Sequence, residues 1–220
     1  MLSNAAMQSF ALLETAITMA VIVSWGMRAW FFPGRGGLGN LRDSRSPLLR
    51  LFICALLANL FFWPIYGLPL ELPLAAYVRG FTGELSMTAM LLLWTAYFSK
   101  EVTHTPVFIK AWIALLAIAF YPFALGVGML DPYMWGYGSW GLLAGVLLTA
   151  LVAWLVGSNR ITLILALAIV AWAVGWHESS NLWDYVLDPF LGIWAIGSVL
   201  RSLMQARAGR AQAGYLFRRG

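Results

Sequence analysis

Residues 72–98 read LPLAAYVRGFTGELSMTAMLLLWTAYF. A helix over this stretch is long enough to cross a bilayer, because about 20 apolar residues at 1.5 Å rise span the hydrocarbon core. Yet Arg79 and Glu84 stand in its first half. An ion at the centre of a membrane helix costs roughly 2.5–3.5 kcal/mol, so such groups face protein or water and have partners. The stretch therefore predicts a membrane-crossing helix that buries a polar feature.

The rest of the chain reads the same way. Of 220 residues, 61% are hydrophobic and 10% charged, where a soluble domain carries about 25% charged residues. The connections between apolar runs reach only about 15 residues, too few to bury a core of their own. The expected fold is all-α: a polytopic integral membrane bundle of about seven transmembrane helices in one domain, 1–220, with no soluble domain. Its spans fall near 9–31, 48–68, 74–98, 107–127, 139–157, 161–177 and 189–205, and 206–220 form a basic tail. The first positive charge is Arg28, at the far end of the first run. Without a basic segment before it, that run does not read as a cleaved signal and is expected to stay.

Charge sets the expected orientation. Arg28, Arg35, Arg42, Arg45 and Arg50 follow span one; Lys100 and Lys110 follow span three; Arg160 follows span five; the remaining arginines from Arg201 onward follow span seven. With seven crossings, every basic residue except Arg79 falls on one side, which must be cytoplasmic. The N-terminus then faces out and the C-terminus in. Glu14, Glu71, Glu84, Asp131, Glu178, Asp184 and Asp188 lie toward the outside. Tryptophans and tyrosines gather at both expected boundaries, as interface anchors do. Twelve arginines against two lysines fit a GC-rich bacterial genome, and the inner membrane of a bacterium is the expected location.

Several chemistries find no support. A single cysteine, Cys54, excludes an internal disulfide and a cysteine-clustered metal site. The glycine-rich stretch 33–47 lacks the lysine-serine ending of a phosphate-binding loop. Neither Gly-x-Ser-x-Gly nor His-Glu-x-x-His occurs. No cofactor, resident metal or nucleic-acid partner is expected. Asp131-Pro132 and Asp188-Pro189 read as helix starts, with aspartate as cap and proline in the first turn.

What remains is an outward polar pocket of Glu14, Arg79, Glu84, His177, Glu178 and Asp184. On a continuous helix Arg79 and Glu84 stand about 140° apart, so they are not i,i+4 partners. Each is expected to pair with a different helix, and Glu14 or Glu178 suits Arg79. Histidine is the side chain whose charge changes near neutral pH. Asn59 in span two is expected to be a buried amide bonded to a neighbouring helix. A divalent ion on Glu84, Glu178, Asp184 and His177 is the weaker alternative.

Three functions are compatible with this pattern. The first is a small membrane subunit or accessory protein of a bacterial envelope pathway. Its pocket would hold a partner chain or a lipid or glycan head group, and its partners would be membrane lipids and another membrane or periplasmic protein. The second is a transporter or channel with an outer ionisable vestibule. The third is an intramembrane transferase or hydrolase with Glu84 or Glu178 as base. The inner halves of the spans look nearly free of ionisable groups, which weighs against a conduction path.

Overall fold

The computed structural model describes residues 4–31, 47–65, 71–99 and 105–217. Among them nine α-helices and one 3-10 helix occur: α1 (Asn4–Phe31), α2 (Pro47–Phe62), α3 (Leu74–Thr82), α4 (Met87–Phe98), α5 (Val107–Ala124), the 3-10 turn Pro132–Gly136, α6 (Trp140–Leu155), α7 (Asn159–Val174), α8 (Leu182–Val186) and α9 (Pro189–Phe217). No strand is present among these residues, so the all-helical expectation holds. Met7–Met27 and Val107–Ala124 are long and apolar enough to cross a membrane, while the apolar helices Leu48–Phe62, Met87–Phe98, Trp140–Leu155 and Asn159–Val174 are shorter. The stretch 33–46 and His104 lie outside the described residues.

The deciding stretch is not one helix but two. Gly83 takes φ +74° and ψ −169°, a backbone conformation that glycine alone adopts without strain. Its N–H closes α3 on the Arg79 carbonyl at 2.8 Å. After Glu84 and Leu85, Ser86 restarts the helix by accepting from the Ala89 N–H at 3.1 Å. The restart is anchored from elsewhere: the Ser86 N–H and hydroxyl both donate to Asp188 Oδ2, at 2.8 and 2.7 Å. Asp188 also accepts from the Leu191 N–H at 2.7 Å, capping α9. One buried carboxylate thus starts two helices that are about 100 residues apart in sequence, a link that no local pattern announces.

Other boundaries follow local rules. Asp131 accepts from the Tyr133 N–H at 3.0 Å ahead of Pro132, as its Asp-Pro pair predicts. The α6–α7 hairpin turns at Gly157, φ +77°. Helix α7 ends on Gly175 in the left-handed conformation, so His177 lies beyond it rather than inside a span. The last helix continues past the expected end at 205 to Phe217, through most of the segment read as a tail.

Packing divides the helices into groups. α1 packs on α2, α3 and α4; α5 on α9; α6 on α7; and α7 on α4 and α8. Ala16, Ala20, Cys54 and Ala58 let α1 and α2 approach closely, the small-residue interface expected where helices pack without a hydrophobic gradient. Asn59 is exposed on the outer face of α2, contrary to the expectation of a buried amide. The helix turns Cys54 and Ala58 inward instead, and their bulk suits the close contact.

Candidate functional site

Four segments converge where α3 breaks. α1 supplies Glu14, the break supplies Arg79 and Glu84, and the irregular segment after α7 supplies Trp176, His177 and Glu178. Tyr185 on α8 forms the floor. The imidazole of His177 stacks on the Tyr185 ring, with centroids 4.6 Å apart and planes 17° from parallel. The His177 N–H donates to the Tyr185 hydroxyl at 2.9 Å, and that hydroxyl donates to the Ser179 carbonyl at 3.0 Å. Burial pushes the Tyr185 phenol up to about 12, so it stays a neutral donor.

The ionised groups form a chain. Arg79 pairs with Glu84 and, at 3.1 Å, with Glu178. Glu14 accepts from the Trp176 indole N–H on one oxygen and faces His177 Nε2 at 3.3 Å on the other. His177 Nδ1 stands 4.0 Å from the second oxygen of Glu84, too far for a hydrogen bond. The Arg79–Glu84 pair corrects the helical reading. Because Gly83 ends α3, Glu84 is not five positions round one helix but on the non-helical stretch 83–86, from which it reaches the guanidinium. Glu178 reaches Arg79 as its second partner, whereas Glu14 turns to Trp176 and His177.

Asp184 does not belong to this group. It accepts from the Tyr133 hydroxyl at 2.8 Å and from Ser179, tying α8 to the 3-10 turn. Burial and that hydrogen bond raise the Tyr133 pKa. Successive side chains on the helix α8 point about 100° apart, so Tyr185 faces His177 while Asp184 faces Tyr133. Among the described residues no three His, Cys, Asp or Glu side chains come together as metal ligands.

Glu14, Arg79, Glu84 and His177 line one end of a cavity of about 520 Å³. Along α1 its wall runs from Ala11 to Trp25, about 20 Å at 1.5 Å per residue. Met19, Ile22, Met90, Leu93 and Leu191 make its sides apolar. The unwound segment Gly83–Leu85 lies on its surface, the setting in which non-helical backbone is tolerated within a bundle.

The far end holds what sequence reasoning missed. Lys110 and Arg160 both line it. Arg160 donates from Nε to Thr95 Oγ1 at 2.8 Å and from Nη2 to the Leu92 carbonyl at 2.7 Å. The ammonium of Lys110 lies 5.8 Å from the Trp194 ring centroid, within cation–π range. Both residues read in the sequence as charges of the cytoplasmic side. A long side chain folds back along apolar surface, and only the packing of α4 and α9 reveals where each one goes.

No protein-family model, curated protein or solved structure matches this chain. Function is therefore argued from the site itself.

Proposed function

We propose that this is a multi-pass membrane protein, in the inner membrane of a bacterium, whose cavity holds an amphiphile with its head group at the Glu14–Arg79–Glu84–His177 cluster. The observation that carries the reading is the cavity's wall: over a length of roughly 20 Å, a largely buried ionisable cluster at one end gives way to an apolar middle of Met19, Ile22, Met90, Leu93 and Leu191, before Lys110 and Arg160 at the other end. That shape suits a molecule with one polar and one hydrocarbon end, and a lipid is the class a bundle meets in a membrane. The exterior supports membrane embedding. Leu48, Phe52, Leu56 and Leu60 project outward from α2, and Leu163, Leu167 and Val170 from α7. Apolar surface this extensive marks a membrane or protein contact. In this reading α3 and α4 together make one interrupted crossing among about seven.

The test is retention. The protein purified in mild detergent should carry amphiphile at near-stoichiometric level, detected by mass spectrometry of the solvent extract. Ala96→Trp, which fills the cavity wall, should empty it while leaving the helical circular dichroism unchanged. Equal amphiphile in both preparations would remove the reading.

Transport is the second reading, favoured by one specific feature. The cavity has ionisable groups at both ends, and the helix beside it is broken, an arrangement that transporters use around substrate sites. Ion- or proton-dependent uptake into proteoliposomes, abolished by Glu84→Gln, would establish it in place of static binding.

A further inference from the structure

We infer that the polar group received at the Glu14–His177–Glu84 end of the cavity is a protonated amine. The inference rests on the amphiphile reading and specifies its head group.

His177 carries the argument. It is only 2% exposed, and its Nδ1 is a buried atom with no hydrogen-bond partner. Leaving such an atom unpaired costs about 1–3 kcal/mol. Its other nitrogen fixes what Nδ1 can do. Nε2 faces a carboxylate oxygen of Glu14 at 3.3 Å, and an ionised carboxylate only accepts. The proton of a neutral imidazole therefore sits on Nε2, and Nδ1 presents a bare lone pair. Opposite it, at 4.0 Å, stands an oxygen of Glu84, a second acceptor. One donor placed between two acceptors at this separation meets both at ordinary hydrogen-bond lengths.

Charge then selects among donors. Among the described residues, Glu14, Glu84 and Glu178 bring three carboxylates, Arg79 pairs with two of them, and His177 faces the third. The balance at this end is negative, with the Trp176 and Tyr185 side chains adding only neutral groups. Arg79 already meets Glu84 and Glu178, so an incoming anion would face carboxylates rather than a free guanidinium. Lys110 and Arg160 sit at the other end of the cavity, where they engage Trp194 and the Leu92 carbonyl and Thr95 hydroxyl. A hydroxyl would satisfy the geometry, but an ammonium satisfies both geometry and charge, and its donors are charge-assisted.

The test uses one chain length with different head groups. Dodecylamine, dodecanol, dodecyl phosphate and lysophosphatidylethanolamine are titrated against wild-type protein in a neutral maltoside detergent, with calorimetry as readout. The amine should bind roughly ten- to hundredfold more tightly than the alcohol or the phosphate, the value of a charged hydrogen-bonded contact. Equal or tighter binding of alcohol or phosphate overturns the inference and leaves the amphiphile reading intact. Binding of none of the four overturns both. Two sources of the amine separate in the same series: tight binding of lysophosphatidylethanolamine assigns it to a phospholipid head group, and tight binding of dodecylamine alone assigns it to a free alkylamine. Glu84→Gln and His177→Phe, the latter keeping a ring on Tyr185, should abolish the preference for amine while dodecanol binding persists. An unchanged preference in both variants places the amine elsewhere and refutes the site. The head-group series on wild type decides the matter even where a variant fails to fold.

Discussion

The two ends of the cavity handle buried charge in different ways. At one end Arg79 pairs with both Glu84 and Glu178, and Glu14 leans on Trp176 and His177. At the other end Arg160 is spent on a main-chain carbonyl and a threonine hydroxyl of α4, and Lys110 rests near an indole. Removing a charge from the first end strands an opposite charge; removing Arg160 from the second frees the Leu92 carbonyl and the Thr95 hydroxyl, both neutral. The difference teaches that the first end is an interdependent set, whereas the second is a pair of separate anchors.

The sharpest way to break this contrast is Arg79→Ala. It leaves Glu84 and Glu178 facing each other without a cation; a fully buried pair loses about 3–5 kcal/mol, and solvent screening at Glu178, 54% exposed, brings the expected loss to about 2–3 kcal/mol. A clear drop in thermal midpoint in detergent is expected, well beyond that of the exposed Arg201→Ala. Comparable midpoints for the two variants would show that the pairing contributes little. Adding Glu84→Gln to Arg79→Ala should recover part of the loss, with a coupling energy of roughly 1–3 kcal/mol in a double-mutant cycle. Strict additivity would dissolve the interdependence.

Asp188→Ala comes next. Three hydrogen bonds to one buried carboxylate disappear, and about 2–3 kcal/mol is expected because the freed N–H groups of Ser86 and Leu191 recover only part of their bonding from water. Hydrogen exchange should speed up at the starts of both α4 and α9. Acceleration at α9 alone would mean that the break does not depend on Asp188. Arg160→Met should cost less, about 1–2 kcal/mol, since the Leu92 carbonyl and Thr95 hydroxyl it leaves behind are neutral; a larger loss than Arg79→Ala would invert the comparison. Smallest is Trp176→Phe, which removes the indole donor to Glu14 but keeps an aromatic ring against Phe10. About 1 kcal/mol is expected, read as a small shift in denaturation midpoint.

Five of the six residues read as a polar pocket, Glu14, Arg79, Glu84, His177 and Glu178, meet at one site because ions in an apolar chain have few places to go. That constraint acts on each residue singly, so it is visible without knowing the neighbours. It says nothing of pairing. Asp184 lies only six residues after Glu178 yet points to Tyr133, because α8 interposes a helical turn that no periodicity over five residues can announce.

The sequence by itself determined that the chain is helical and that its charges must be gathered rather than scattered, since composition and the cost of an unpaired ion act locally. It also marked Asp131 and Asp188 as helix starts, through the fixed φ of proline and the capping reach of aspartate. Tertiary structure decided the rest. The break at Gly83 is secured by a carboxylate about 100 residues away, and it is this break that lets Arg79 reach Glu84. The inward course of Lys110 and Arg160 likewise depends on which helices flank them. Contacts between distant segments are set by packing, and packing is a property of the assembled bundle.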